Sequence, residues 1–210
     1  YVDLGLPSGL KWAKCNVGAT SEADYGSYFQ WGDIEDKSNS DYSWESYKYC
    51  NVSSDTMTKY CTDSSYGTVD NKTTLDSEDD AATQIMGGDW RMPTATEFQE
   101  LYDNTTNEWV EDYNGSGVNG IKFTSKTNGK SIFFTASGHA SGTGVYDRGS
   151  YGYYWSSSLH PSNSNNGLNL NFNSGNINPQ NNNDRYNGFC VRSVLENLSY
   201  IKKLLIVYVL

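Results

Sequence analysis

Groups that carry chemistry in proteins are scarce in this sequence. It has two histidines and four cysteines in 210 residues. The cysteines show neither C-x-x-C spacing nor a cluster with histidine, which excludes the common zinc sites and a dense disulfide framework. A Ser-His-Asp triad would have to use His139 or His160, and no G-x-S-x-G motif is present. The residue types therefore predict a protein that is not an enzyme and that has no metal and no cofactor.

Positive charge is also scarce. The 15 Lys and Arg residues stand against 25 Asp and Glu, which gives a formal net charge of −10. Because binding to a nucleic acid backbone needs clustered Lys and Arg, we expect no nucleic acid partner, and anionic membrane surfaces are disfavoured in the same way. The acidic run at 76–80 lacks the spacing of an EF-hand loop and is better explained by the start of a predicted helix.

Long hydrophobic runs are missing except near the C-terminus. Residues 204–210 are seven consecutive apolar residues in a tail assigned to 196–210, far short of the roughly 20 needed to span a bilayer. We expect no direct membrane insertion. Because an exposed β-prone run promotes aggregation, we expect 204–210 to pair with a sheet edge or dock in a groove, on this molecule or on a partner. The first residues lack the basic and apolar stretches of a signal peptide, so any targeting segment lies outside this sequence.

Small polar residues and aromatic residues dominate what is present. The chain has 20 Gly, 22 Asn, 26 Ser and 16 Thr, together 84 of its 210 residues, and this composition disfavours long helices. The 17 Tyr, 7 Phe and 6 Trp supply enough apolar surface to offset the entropy of folding, so the chain is expected to be ordered. Its length fits one large domain.

Turn and capping signals place strands at both ends of the chain and helices between them. Residues 1–16 predict two short strands that form a hairpin or an irregular edge ribbon, and residues 33–76, which have no sustained periodicity, are interpreted as a surface insertion. Ser77 is the predicted N-cap of a first short helix. Thr94 forms a capping box with Glu97 and predicts a second helix over 95–103.

Further strands are predicted after the second helix. Residues 118–124 and 131–136 flank Asn128-Gly129, a two-residue turn signal, and together predict a β-hairpin. Additional strands are expected at 153–157, 168–173 and 189–194. Strands, two short helices and then strands predict an α+β domain with a mainly antiparallel sheet.

An asparagine-rich stretch carries most of the functional information. Residues 163–187 contain 12 Asn in 25 residues, yet Leu168, Leu170 and Phe172 alternate strictly with Asn. Asn is depleted from strands because its side chain competes for backbone groups, so folding alone would rarely select it repeatedly. The alternative is a low-complexity Asn-rich loop. The intact apolar alternation favours a strand with one core face and one amide face.

Several motifs support a family resemblance. Residues 88–94, Gly-Asp-Trp-Arg-Met-Pro-Thr, followed by Glu97 and Leu101, are similar to the start of a helix in formylglycine-generating-type C-type lectin-like domains. Further motifs resemble, in the same order, the Fibrobacter major paralogous domain family of gut-bacterial surface proteins; they lie at 1–13, 15–19, 25–32, 152–157 and 191–192. The resemblance covers about 1–195 and implies a C-type lectin-like fold with an extracellular, cell-surface or phage-particle location.

The asparagine-rich region is also similar to that of variable proteins of diversity-generating retroelements. In these systems mutation of template adenines exchanges Asn codons, while codons without adenine preserve the scaffold. The resemblance implies a variable ligand-binding region at 151–187 on a scaffold that includes Trp155, Leu168, Leu170 and Phe172. The candidate ligand-binding residues are Tyr151, Tyr153, His160, Asn163, Asn165, Asn166, Asn169, Asn171, Asn173, Asn176, Asn178, Gln180, Asn182 and Asp184.

The cysteines leave two alternatives open. Cys50 and Cys61 flank ten residues, a span that a disulfide can close, and two free thiols are the alternative. The implied fold places the first and last strands side by side, so Cys15 and Cys190 either pair or remain buried thiols. Formylglycine-generating enzymes use active-site cysteines late in the domain, whereas here only Cys190 lies late, so oxidase activity is not expected.

Two functional hypotheses follow. The first is a non-enzymatic recognition protein whose Asn- and Tyr-rich region, with the composition that antibody loops favour, binds a protein or glycan ligand on a cell surface. The second is a structural or assembly subunit of a bacterial surface appendage, in which 204–210 mediates association with a partner or with a second copy.

Overall fold

Short strands joined by tight turns make up most of the fold, as a chain rich in small polar residues favours. The computed structural model describes residues 1–37 and 41–196. Its strands pair antiparallel and accompany two α-helices, so the predicted α+β class is confirmed. The predicted docking of 204–210 lies outside the described residues, as does the tail beyond Glu196.

The elements of the described residues are named in chain order. The helices are α1 (Ala81–Met86) and α2 (Ala95–Asn104), and single 3₁₀ turns lie at Ser77–Asp79 and Tyr113–Gly115. The strands are β1 (Val2–Asp3), β2 (Lys11–Trp12), β3 (Trp90–Arg91), β4 (Thr105–Val110), β5 (Gly120–Ser125), β6 (Ser131–Thr135), β7 (His139–Ser141), β8 (Gly144–Tyr146), β9 (Gly152–Leu159), β10 (Asn166–Phe172), β11 (Ile177–Asp184) and β12 (Val194–Leu195).

Four small sheets organise these strands. The N- and C-terminal segments meet in a sheet of order β1-β2-β12-β3, in which Trp12 lies opposite both Val2 and Val194. The other sheets have the orders β11-β10-β9, β4-β5-β6 and β7-β8. The hairpin predicted for residues 1–16 is therefore confirmed, as are the predicted strands within β9 and β10.

Capping explains where the helices begin. The Thr94 side chain accepts a hydrogen bond from the Glu97 N–H, and the Glu97 carboxylate accepts one from the Thr94 N–H, so the predicted capping box of α2 is confirmed. The prediction for the first helix is wrong by one turn. Asp80 rather than Ser77 caps α1 by accepting from the Thr83 N–H, because a 3₁₀ turn takes up Ser77–Asp79.

Other sequence predictions need correction. The β5-β6 hairpin is present, but Ser125 pairs with Lys130 across a turn that is longer than two residues. The strand predicted at 189–194 is wrong for most of its length, because Phe189 and Cys190 form isolated bridges to Phe29 and Tyr154 instead of a continuous ladder.

Two hydrophobic cores flank the β9–β11 sheet. The first core includes Trp12, Phe98, Phe134, Leu170 and Phe172, so it joins the terminal sheet, α2, the β4–β6 sheet and one side of β10. The second core lies on the other side and includes the buried residues Phe29, Trp31, Tyr47, Tyr60, Trp155 and Phe189. The β9–β11 sheet is thus buried on one face and partly covered on the other.

The segment at 33–76 is more than a surface insertion. Its described residues form no helix and no strand of the four sheets, as the missing periodicity predicts, yet Tyr42, Tyr47, Tyr49, Met57 and Tyr60 are buried. Aromatic residues in an irregular segment can reach a core because turns rather than a period of 2 or 3.6 set their direction. The surface assignment is therefore corrected: the segment supplies much of the second core.

Candidate ligand-binding face

The pairing register decides which predicted residues share a face of the β9–β11 sheet. Residues directly opposite each other in an antiparallel pair point to the same side. Asn169 lies opposite Trp155 and Asn181, and Asn171 lies opposite Tyr153 and Asn178. A register shift between these two pairings inserts one extra residue in β11 and places Asn178 and Asn181 on the same side.

The covered part of this face corrects one central expectation. Asn169 was expected to display its amide, but it is fully buried beside the second core. Its Nδ2 donates to Oδ1 of Asn183 at 3.1 Å, and its Oδ1 accepts from Nδ2 of Asn181 at 3.3 Å. A buried amide is stable there because both of its polar atoms have partners. Asn169 therefore belongs to the scaffold.

The remainder of this face is not covered, and we call it the open face: Tyr151, Tyr153, Asn171, Asn178 and Asn181. The Tyr151 and Tyr153 rings stack with centroids 6.2 Å apart. The Asn171 amide donates to the Gly152 carbonyl at 3.2 Å, and the Asn178 amide donates to Asn181 at 3.5 Å. Rings and amides thus alternate over a half-buried surface. Asn181 was not among the predicted residues.

The β7-β8 hairpin extends the open face with further aromatic groups. The His139 ring lies 5.2 Å from the Tyr153 ring and 5.7 Å from that of Tyr146, whose side chain is exposed. Burial lowers the pKa of His139, although the charge of Asp147, 3.5 Å from Nδ1, acts in the opposite direction. The imidazole is therefore mainly neutral at pH 7. Sequence reasoning considered His139 only as a catalytic residue, and no local pattern indicated its place here.

Several predicted residues lie in turns at opposite ends of the sheet. Asn163 and Asn173 accept backbone N–H groups through their side chains, from Asn165 at 2.9 Å and from Gly175 at 2.8 Å. These are Asx turns, a structural use of asparagine that needs no ligand. The predicted residues of the β9–β10 turn are His160, Asn163 and Asn165, and those of the β10–β11 turn are Asn173 and Asn176. The structure does not bring the two groups together.

The last group of predicted residues lies along the far part of β10 and β11. Asn166 lies opposite Asp184, and Leu168 lies opposite Asn182, so these residues point to the side of the first core. The Asn166 amide donates to Asn182 at 2.7 Å, and both groups are outside the buried core. Burial raises the pKa of Asp184. Gln180 is exposed on β11. The fourteen predicted residues therefore do not form a single surface.

A lysine ammonium group lies within an acidic cluster next to the second core. Asp76, Glu78 and Asp79 bring carboxylate oxygens close together, and Lys59 Nζ lies 2.8, 3.2 and 2.6 Å from them. Burial alone would raise the pKa of Asp79, but hydrogen bonds from Lys59, Tyr49, Tyr60 and Lys48 outweigh it and hold the value at about 2. The ammonium group occupies the position that a metal ion would need.

The thiols are not paired. All four cysteines are free, so neither Cys50–Cys61 nor Cys15–Cys190 is bonded. Burial raises the pKa of the Cys190 thiol to about 12, and its Sγ lies 3.2 Å from the Tyr25 carbonyl. A neutral thiol in this position is a packing group rather than a nucleophile.

Comparison with known proteins adds a partial match to this α+β domain. Residues 110–194 match a family described as a domain of unknown function (DUF8237); the match covers less than half of the chain and includes β5–β11 and the first residue of β12. No curated protein and no solved structure matches the chain. Among the described residues, no helix is both long and apolar enough to cross a bilayer.

Proposed function

We propose that this protein is a non-enzymatic recognition module with a C-type lectin-like fold, and that its open face binds a protein or glycan ligand at a cell surface. We further propose that a diversity-generating retroelement exchanges exposed residues of the 151–187 region. The observation that carries the proposal is the alternation of buried and outward-facing side chains along β10. Leu170 and Phe172 are buried in the first core, whereas Asn171 between them faces the open side.

This arrangement allows the exposed side chains of β10 to be replaced without a change in the strand backbone. The backbone of β10 is held by ladders on both sides, to β9 and β11, so its conformation does not depend on the exposed amides. Tyr contributes large, stiff contact area, and Asn contributes adaptable hydrogen bonds. A preformed sheet also limits the entropy lost when a ligand binds. The open face therefore has the properties of a binding surface that tolerates variation.

The fold is consistent with the proposed family. The first strands pair with the last strand, two helices lie in the middle of the chain, and a small sheet supports irregular segments. This is the arrangement that the resemblance implies. The surroundings of Cys190 support a non-enzymatic role, because burial raises the pKa of its thiol to about 12 and leaves almost no thiolate to act as a nucleophile.

Comparison of gene copies with an adjacent template repeat tests the proposal. We expect adenine-directed differences at Tyr151, Tyr153, Asn171 and Asn178, and identity at Trp155, Leu170 and Phe172. Differences spread evenly over the whole surface, with no template repeat, would contradict diversification and favour the assembly subunit of a surface appendage.

A display experiment tests the binding role directly. A library randomised at Tyr151, Tyr153, Asn171 and Asn178 should remain folded and yield binders to bacterial surface proteins or glycans. A matched library at four exposed sites of the 33–76 segment, Glu45, Asn51, Val52 and Asp55, should yield fewer binders. Equal yields from the two libraries would contradict a specialised face.

A further inference from the structure

A groove outside the β9–β11 sheet meets the end of the open face. Two clefts, of about 440 and 230 Å³, share Trp109 of β4 and residues 173–175 of the β10–β11 turn. The larger cleft extends past Glu111 and Asn119 to Tyr151, and the smaller one extends past Asn107 to Asn176. The larger volume lies within the range of about 300–1,000 Å³ that is typical of ligand sites. Trp109 thus stands in the middle of one continuous groove.

The polar groups around Trp109 have unused hydrogen-bonding capacity. Among the described residues, none accepts a hydrogen bond from the indole N–H of Trp109, and the side-chain amides of Asn107 and Asn176 have no partner. Asn119, by contrast, uses its amide to fix the chain by donating to the Gly149 carbonyl at 3.1 Å. The groove therefore combines one half-buried indole with free amide donors and acceptors on both sides.

The charge around the groove limits which classes of ligand can bind in it. Among the described residues that line it, none is Lys, Arg or His, and Glu111 is the one carboxylic acid. The whole chain carries a net charge of −10. Phosphorylated, sulfated and carboxylated ligands are repelled by this field and find no cation to pair with. The groups that line the groove are best suited to a neutral ligand that has an apolar ring face and hydroxyl groups around its edge.

We propose that this groove binds a neutral saccharide, with a sugar ring against the Trp109 indole and its hydroxyl groups on the amides of Asn107 and Asn176. The C–H face of a pyranose is apolar and matches the electron-rich face of an indole, while its hydroxyl groups both donate and accept. The inference deepens the proposed recognition function and rests on it. Tyr151 connects the two surfaces, because it lines the groove and also stacks on Tyr153.

The test uses the full chain and a panel of neutral oligosaccharides of glucose, mannose, xylose and galactose, measured by array and then by calorimetry. We expect binding by at least one member, about tenfold weaker in Trp109→Ala and about fivefold weaker in Asn107→Ala. Asn51→Ala removes an equally exposed amide elsewhere and should leave the affinity unchanged. Because Trp109 also packs against the first core, Asn107→Ala serves as the variant that keeps the fold intact.

Three outcomes would overturn the inference. The first is no binding of any panel member up to millimolar concentration. The second is binding that Asn107→Ala and Trp109→Ala leave unchanged while Tyr153→Ala abolishes it, which would retain the recognition function and place the sugar on the open face. The third is tight binding of a peptide or protein at Trp109 with no saccharide binding, which would retain recognition and refute the ligand class. Failure of the recognition function itself would appear separately, as the absence of patterned variation between gene copies.

Discussion

The guanidinium of Arg185 lies over the ring of Tyr47 and donates a hydrogen bond to its hydroxyl, with 5.1 Å from Cζ to the ring centroid and 2.8 Å from Nε to Oη. Arg185 is fully buried at the end of β11. Its other N–H groups donate to the carbonyls of Lys59, Tyr60 and Ser164. One side chain thus ties β11 to the 33–76 segment and to the β9–β10 turn. Among the described residues, no carboxylate pairs with it.

Replacing Arg185 should therefore destabilise the fold strongly. Arg185→Leu keeps the apolar bulk but leaves buried carbonyl groups without donors, and each such group costs about 1–3 kcal/mol. We expect the free energy of unfolding to fall by about 3 kcal/mol or more, measured by urea denaturation with tryptophan fluorescence. Arg148→Leu is the control, since Arg148 is exposed and, within the described part of the chain, its side chain donates only to Tyr28. A loss at Arg185 no larger than at Arg148 would refute the anchoring role.

The four thiols should all be detectable without reductant. In guanidinium we expect Ellman's reagent to count four free thiols, because none of the cysteines is paired. In the folded protein Cys190 should resist iodoacetamide at pH 8, since burial raises its pKa to about 12 and leaves almost no thiolate. Peptide mapping identifies the modified sites. A linked Cys50–Cys61 or Cys15–Cys190 peptide in the unreduced protein would contradict this expectation.

Local sequence signals predicted the elements whose determinants are local. The capping box of Thr94 and Glu97 needs only residues of its own turn, and α2 begins where this motif places it. The alternation at Leu168, Leu170 and Phe172 likewise predicted a strand with these residues in the core; this holds for Leu170 and Phe172, whereas Leu168 is only half-buried and lies outside the core. Such features survive folding because no distant residue competes with them.

The features that the sequence did not predict are those that depend on tertiary packing. Asn169 is buried because the second core, built from Trp31 and other residues distant in sequence, covers that part of the sheet. Strand β11 was missed because Ile177–Asp184 is rich in Asn, which is disfavoured in strands, and its register shift then changes which Asn residues face outward. Burial of the aromatic residues at 33–76 depends similarly on Arg185, which is distant in sequence.

Stability at low pH should depend on Asp79. Its pKa of about 2 lies below the ordinary value of 3.8, so the unfolded chain takes up the proton first as the pH falls. The stabilisation is therefore complete above pH 4 and is lost between about pH 4 and 2; it amounts to roughly 2 kcal/mol. Asp79→Asn should be less stable than the parent at pH 7 by this amount, and their urea unfolding curves should converge near pH 2.

The control for Asp79 is a neighbouring carboxylate of the same cluster. Glu78 also contacts Lys59, but its side chain is 73 % exposed, so Glu78→Gln should change the free energy of unfolding by less than about 0.5 kcal/mol. Parallel pH profiles for the parent and Asp79→Asn would show that Asp79 is not the group responsible.

Two asparagines in the same sheet should differ in how much stability their substitution costs. Asn169 is fully buried and hydrogen-bonded to Asn181 and Asn183, whereas Asn182 is exposed and its side chain, among the described residues, bonds only to Asn166. Asn169→Ala removes a fully buried side chain and its two hydrogen bonds, so we expect a loss of about 2 kcal/mol in urea unfolding; Asn182→Ala should cost less than about 0.5 kcal/mol. If the two variants lose equal stability, burial does not separate scaffold from exchangeable positions. If Asn169→Ala loses less stability than Asn182→Ala, the register that places Asn169 beneath the second core is wrong. Asn169 would then belong to the open face.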